Sequence, residues 1–188
     1  MAVTVSPREV VDEVHRASRA LGCDADLADR LAVEVAFCEV HHGGGVAAWA
    51  ELVATGDGRL AEAALAPFRL ADAEVALRTD GSTRLDLDPP VPLAVLARSL
   101  WDLERRGVRC TPDPEGCPGT ELLSTLELVA RDPDPVAGER VAERSQEALN
   151  HGVDVDDDLW RLLHDRARAF LVAESVLDAV HAVGEGGI

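Results

Sequence analysis

The sequence predicts an α+β fold, mostly helical, with helices packed around a small antiparallel sheet. Three observations predict it. Capped segments of helical length fill both ends of the chain. Short apolar segments bounded by Gly and Pro fill the middle. Apolar residues make up 47% of the 188, yet only three Trp, three Phe and no Tyr are among the aromatics. A core of small aliphatics suits many short helices, and this length fits one domain. Within it we read a helical part over 6–66, a hairpin, helix and strands over 73–131, and C-terminal helices over 135–183.

Ser6-Pro7-Arg8-Glu9 is a helix start, with Ser at the cap, Pro in the first turn and Glu at the third position. That helix runs to about Leu21 and stops at Gly22. A second starts after Asp24 or Asp26 and runs through Val40, where Gly43 to Gly45 end it. A third covers about Val46 to Ala54, and a short one Leu60 to Ala66 before Pro67. In "AEVALRTDGSTRLDLD" the apolar Val75, Leu77, Leu85 and Leu87 alternate about Asp80-Gly81, which predicts a hairpin. Pro89, Pro90 and Pro92 break the chain. "PLAVLARSLWDLERRG" reads as a helix ending at Gly107. "VRC" and "TELLSTLELVAR" read as strands flanking a Cys110–Cys117 turn. Pro133 and Pro135 mark the one seam and lead into a polar helix to about Asn150. "HGVDVDDD" then caps a long helix, Leu159 to about Val183, followed by a Gly-rich tail.

Charge excludes several function classes. The net charge is −17, and all 18 bases are Arg. Such a surface repels phosphate backbones, so nucleic acid and anionic membranes are poor partners. Without Lys there is no Schiff-base or Walker-type lysine, and without Tyr no phenol acid or base. Met1 to Pro7 has neither a basic start nor an apolar run, and no window approaches a membrane span. The expectation is a cytoplasmic protein with reduced thiols at Cys23, Cys38, Cys110 and Cys117. "CTPDPEGC" could close a small disulfide loop or offer two zinc thiolates, but no second ligand pair lies nearby; a turn is the simpler reading. No metal and no cofactor are expected.

Candidate chemistry lies in two helices. On the second, Leu27, Leu31, Val35 and Cys38 share a stripe with His42, while Val33, Phe37 and Val40 form another. Arg30, Glu34 and His41 fill the polar seam between them, so this helix should be central. Either Glu34 and His41 face a cleft as an acid–base pair, or Glu34, Cys38 and a histidine bind a metal, or, as the simpler reading, Glu34 pairs with Arg30 and the histidines serve the helix C-terminus as imidazolium donors. On the last helix, Glu174 points into an apolar face of Leu163, Ala167, Phe170, Leu171 and Leu177, with Asp178 and His181 beyond. A carboxylate so placed either has a shifted pKa or meets an Arg such as Arg166 or Arg168. "HGGG" carries letters of an esterase oxyanion loop, but no G-x-S-x-G elbow accompanies it. Nor does "DVDDD" carry the Gly and distal Glu of a calcium loop.

Two stretches carry a family resemblance: "SPREVVDEVHRASRALGCDADLADRLAVEVAF" with the following "GVAAWAELV", and "LHDRARAFLVAESVLDAVHAVGEGG". Together they resemble a family of uncharacterised bacterial proteins, catalogued as a domain of unknown function, which carries a polar stretch at Glu174-Ser175 and a Gly-rich close at Gly184 and Gly186. The resemblance implies no activity. Residues Ser6 to Gly56 also resemble the helical start of the type-2 malate and L-lactate dehydrogenases, with His41 matching their histidine. Val40 stands in place of the family's Ser, the Arg that usually follows is missing, and the nicotinamide region is absent. That likeness implies scaffold alone.

Two functions follow as expectations. One is a non-catalytic partner or small-molecule-binding protein, a homo-oligomer joined through apolar helix faces being one form of it. The other is a small-molecule enzyme whose cleft, between the 25–42 helix and the C-terminal helix, joins catalytic Glu34, His41 and Glu174 to binding groups His42, Ser175 and His181.

Overall fold

The computed structural model describes residues 1–56, 58–132 and 135–184, with the side chains of 135–137 and 171–184 left aside. The fold is α+β and mostly helical, as the sequence predicts. Helix α1 (Pro7–Ala20) starts at the expected capping box: Ser6 Oγ accepts from the Glu9 N–H, and the Glu9 carboxylate accepts from the Ser6 N–H at 2.7 Å. Helix α2 (Ala25–His41) and helix α3 (Gly45–Thr55) follow. The central role of α2 is evident from its burial: Leu31, Val35 and Cys38 on one side and Glu34 on the seam are all shielded from solvent. It packs on α1, α3 and, further along the chain, helix α6 (Ala97–Arg105). Trp49 of α3 is fully buried, and its indole N–H donates to Ser18 Oγ of α1 at 3.1 Å.

Three glycines shape the loop after α2. Gly43 and Gly44 both have φ of 72°, a backbone that L side chains rarely adopt. The turn lets α3 start directly against α2: a Cβ on Gly45 would lie 2.4 Å from the Val35 carbonyl oxygen and 2.9 Å from the Glu39 nitrogen. Glu39 of α2 uses the proximity, accepting from the Val46 N–H at 2.7 Å at the start of α3. The Gly43 carbonyl accepts from the Gly119 N–H at 2.9 Å, tying the loop to the middle of the chain.

The expected hairpin about Asp80-Gly81 does not form. Helix α4 (Arg59–Ala63) is followed by helix α5 (Ala66–Asp80), and Gly81, with φ of 76°, ends it as a left-handed cap. Alternation would place Val75 and Leu77 on one face, but Val75 is 68% exposed and Leu77 only 2%. The buried set Ala66, Leu70 and Leu77 instead has helical spacing, in a segment rich in Ala. Strand β2 (Ser82–Pro92) pairs antiparallel with strand β4 (Leu122–Ala130), which also pairs with strand β3 (Val108–Thr111), giving the order β2-β4-β3. The prolines are incorporated rather than breaking the strand. The register shifts between Asp86 and Val91, and β2 is an edge strand, where a missing N–H is tolerated. A 3-10 turn (Leu93–Val95) then leads into α6.

Strands β1 (Ala2–Val5) and β5 (Val153–Asp156) were not expected; they pair antiparallel, Val3 facing Val155 and Val5 facing Val153. Four-residue strands with two valines each give little periodicity to read. Asp156 still caps the last helix, α8 (Asp157–Gly184), accepting from the Asp158 N–H at 3.0 Å. Helix α7 (Pro135–His151) precedes β5 and lies on α2 and α6, whereas α8 packs on α1 and α3. One apolar cluster joins α1, α2, α3, α5, α6, the β2-β4-β3 sheet and the start of α8. No helix among the described residues is long and apolar enough to cross a membrane.

The close approach at Gly45 gives the first prediction. Gly45→Ala should destabilise the protein by about 2–3 kcal/mol through overpacking against backbone. Gly43→Ala, with open space around its Cβ, should cost only about 1 kcal/mol of backbone strain. Urea unfolding of both variants checks the order, and a larger loss in Gly43→Ala would contradict this packing.

Candidate functional site

Glu34 and His41 lie on one helix but serve different places. The Glu34 side chain is completely buried. One carboxylate oxygen accepts from the Arg98 N–H at 2.8 Å and the Ser99 N–H at 3.2 Å; the other meets the Ser99 hydroxyl. These N–H groups belong to the first turn of α6 and have no partner within their own helix. Glu34 therefore acts as a cap supplied by another helix, favoured by the positive end of the α6 dipole. Burial pushes its pKa up to about 7 against the opposing pull of the Ser99 and Arg98 hydrogen bonds and the Arg30 charge. Arg30 contributes only at a distance; its guanidinium lies 5.9 Å from the centre of the Phe68 ring. The expected Glu34–Arg30 pair is thus replaced by a helix terminus.

His41 closes α2 and is 9% exposed. Its ring lies 4.2 Å from that of Phe37, and Phe37 lies 5.4 Å from Trp101 of α6. Its Nε2 is 3.2 Å from the Ser145 hydroxyl of α7, and its carbonyl accepts from Arg144 at 2.8 Å. Burial, then the charges of His42 and Arg144, push the imidazole pKa down to about 4. The expected imidazolium at the helix end is accordingly a neutral ring, and Arg144 supplies the cation that the terminal carbonyl receives. The His42 pKa is also lowered, mainly by burial, with the Cys117 backbone and Glu115 pulling the other way.

These groups line a cleft of about 360 Å³ bounded by the end of α2, α6, the 114–117 turn and α7. Its apolar lining comes from Phe37, Ala97, Trp101 and Val141; its polar lining includes His41, His42, Arg140 and Arg144. Two buried nitrogens of the lining residues, His41 Nδ1 and Trp101 Nε1, have no hydrogen-bond partner among the described residues. Glu34 does not line the cleft, because its carboxylate is turned to the start of α6. The expected acid–base pair with His41 is therefore not assembled. The cleft that the described residues form lies under α7. The side chains of Glu174, Ser175 and His181, and the Gly-rich tail, lie outside the described residues.

Sequence reasoning missed Trp101, Arg144 and Ser145 as site residues. The rarity of Trp was the one available signal for Trp101, while the two α7 residues had none within their polar helix. The four cysteines are free thiols: Cys23, Cys38 and Cys110 are buried and Cys117 is half-buried. Burial pushes the Cys38 and Cys110 thiols up to about 12, so neither is a ready nucleophile. No group of three or more metal-ligating side chains is present among the described residues.

The Glu34 cap predicts a pH signature. Its carboxyl binds a proton more tightly folded, about 7, than unfolded, 4.5. In that window the folded state holds more protons, so this group's contribution to stability falls as pH rises. Glu34→Gln keeps an acceptor for the two N–H groups and does not titrate. Its stability relative to wild type should rise by on the order of 2 kcal/mol between pH 4.5 and pH 7.5. Glu34→Ala leaves three donors without an acceptor and should cost about 3 kcal/mol or more. Chemical unfolding across that pH range checks both; a Glu34→Gln difference that does not vary with pH would rule out a shifted carboxyl.

Compared with family models, curated proteins and solved structures, the chain has no match, so the site is read from its own residues.

Proposed function

We propose that the chain is a non-catalytic small-molecule-binding protein whose site is the cleft between the end of α2, α6 and α7. One observation carries the reading: the rings of Trp101, Phe37 and His41 follow one another in the lining of the cleft, 5.4 Å and 4.2 Å apart. The chain has only six Phe and Trp residues, and two of them line this cleft. Binding clefts of this size combine apolar and aromatic walls with a few placed polar groups. The two unpartnered nitrogens support the same reading, because a buried polar group left unmet costs about 1–3 kcal/mol.

The non-catalytic part rests on the chemistry of the lining. A base with a pKa near 4 is a weak proton acceptor at neutral pH, and its Nε2 is already at Ser145. The one carboxylate of raised pKa on α2 is engaged by α6.

A protein-observed NMR screen with small polar and aromatic fragments tests this. Trp49 donates to Ser18, so its indole N–H serves as an internal reference for Trp101. Binding fragments should move the Trp101 indole resonance and the Phe37 ring while leaving Trp49 in place. Trp101→Leu should weaken them at least tenfold. A screen in which no fragment moves Trp101, or in which every binder moves resonances elsewhere, would overturn the proposal.

A further inference from the structure

Charge in the cleft narrows the class of ligand. Two carboxylates and two guanidiniums line it. Glu115 is bound to Arg140 at 2.7 Å, and Glu104 is bound to Arg131 at 2.6 Å, so both acids are neutralised by partners. Both histidines have lowered pKa values, and His41, at about 4, is neutral at neutral pH. What is left is Arg144. Among the described residues its hydrogen-bond acceptor is the His41 carbonyl, and no carboxylate lies within salt-bridge distance of it. A guanidinium has five N–H donors in a planar fork, and one carbonyl uses little of that capacity. In a chain of net charge −17, this guanidinium at the cleft has no carboxylate partner among the described residues.

A second feature directs an anion to this arginine. The nearby helix N-terminus, at α6, is the other natural anion site in this region. It is already occupied by the protein's own carboxylate, Glu34. An incoming anion therefore has Arg144 as its partner, one side of the aromatic wall. His41, 91% buried and in contact with both Phe37 and the residue after Arg144, links the wall to that cation.

Resting on the small-molecule reading above, we infer that the ligand is a small organic acid with a flat apolar body. The body lies along Trp101 and Phe37, and the carboxylate docks on the Arg144 guanidinium. A charge-assisted, forked contact of this kind is favoured for planar carboxylates. It would also selectively exclude neutral isosteres, which leave the guanidinium without a counter-charge.

Benzoate and benzamide share shape and differ in charge, so they serve as probes. Both are titrated into the full chain at neutral pH and low salt, with the Trp101 indole resonance as the readout. Benzoate should bind at least tenfold more tightly than benzamide, and the preference should shrink as salt is added. Arg144→Gln should remove the preference, Arg144→Lys should keep part of it, and Arg8→Gln, an exposed arginine outside the cleft, should leave it in place. The Trp49 indole resonance and the thermal midpoint report whether each variant is folded; should Arg144→Gln unfold, the salt dependence and Arg144→Lys still decide. Equal affinity for the two probes would overturn the anion inference and leave the binding cleft standing. Binding of neutral fragments but not benzoate would do the same. If neither probe and no fragment reaches Trp101, both readings fall.

Discussion

The contact on which this architecture depends is the buried carboxylate of Glu34 at the start of α6. A helix end leaves N–H groups without partners, and burying them unmet is costly. A carboxylate inside a protein is costly as well. Each resolves the other here: the Arg98 and Ser99 N–H groups and the Ser99 hydroxyl surround a carboxyl group that has no solvent access. The contact also sets a register. Phe37 lies three positions after Glu34, and Trp101 three after Arg98. On two helices, residues so spaced fall on the same face as the anchor. Fixing Glu34 on Arg98 thus sets Phe37 opposite Trp101, 5.4 Å apart, and this pair is the wall of the cleft.

The same helix repeats the device at its end. Glu39 meets the start of α3, and the terminal carbonyl of His41 receives Arg144 from α7. So α2 supplies acceptors to the starts of two helices and accepts a cation from a third. Its polar seam serves three structural junctions. His41 is the one member that lines the cleft, and it does so uncharged. Glu34 and His41 shift in opposite directions for one reason, burial, which disfavours the charged form of each. Their effects on stability are opposed. Glu34 contributes less as pH rises from 4.5 toward 7, while His41 contributes less as pH falls from 6.5 toward 4.

Much of the helical frame was legible because its signals are local. The Ser6 box, the Gly22 stop and the glycines after His41 each satisfy or terminate a helix within a few residues. The centrality of α2 was legible from its two apolar stripes. The α5 segment was misread because Val75 and Leu77 imitate alternation over too short a window, and Gly81 fits either a hairpin or a helix cap. Strands β1 and β5 are held by pairing across most of the chain, which no local pattern records. The site was half legible for the same reason. His41 and His42 were found by residue type, but the partner of Glu34 lies 64 positions away and Arg144 lies 103 positions from His41. Sequence spacing on one helix suggested an acid–base pair, whereas the tertiary contacts of each side chain divide the two between a structural junction and a cleft.

Where the Glu34 proton goes is most directly tested by a carbon-13 NMR titration of the Glu34 carboxyl, read together with the Arg98 and Ser99 amides. A carboxyl titrating near 7, with both amides shifting at the same midpoint and the His41 ring unchanged there, is the predicted result. A midpoint near the ordinary 4.5, or a His41 ring that follows the Glu34 titration while the two amides do not, would contradict it.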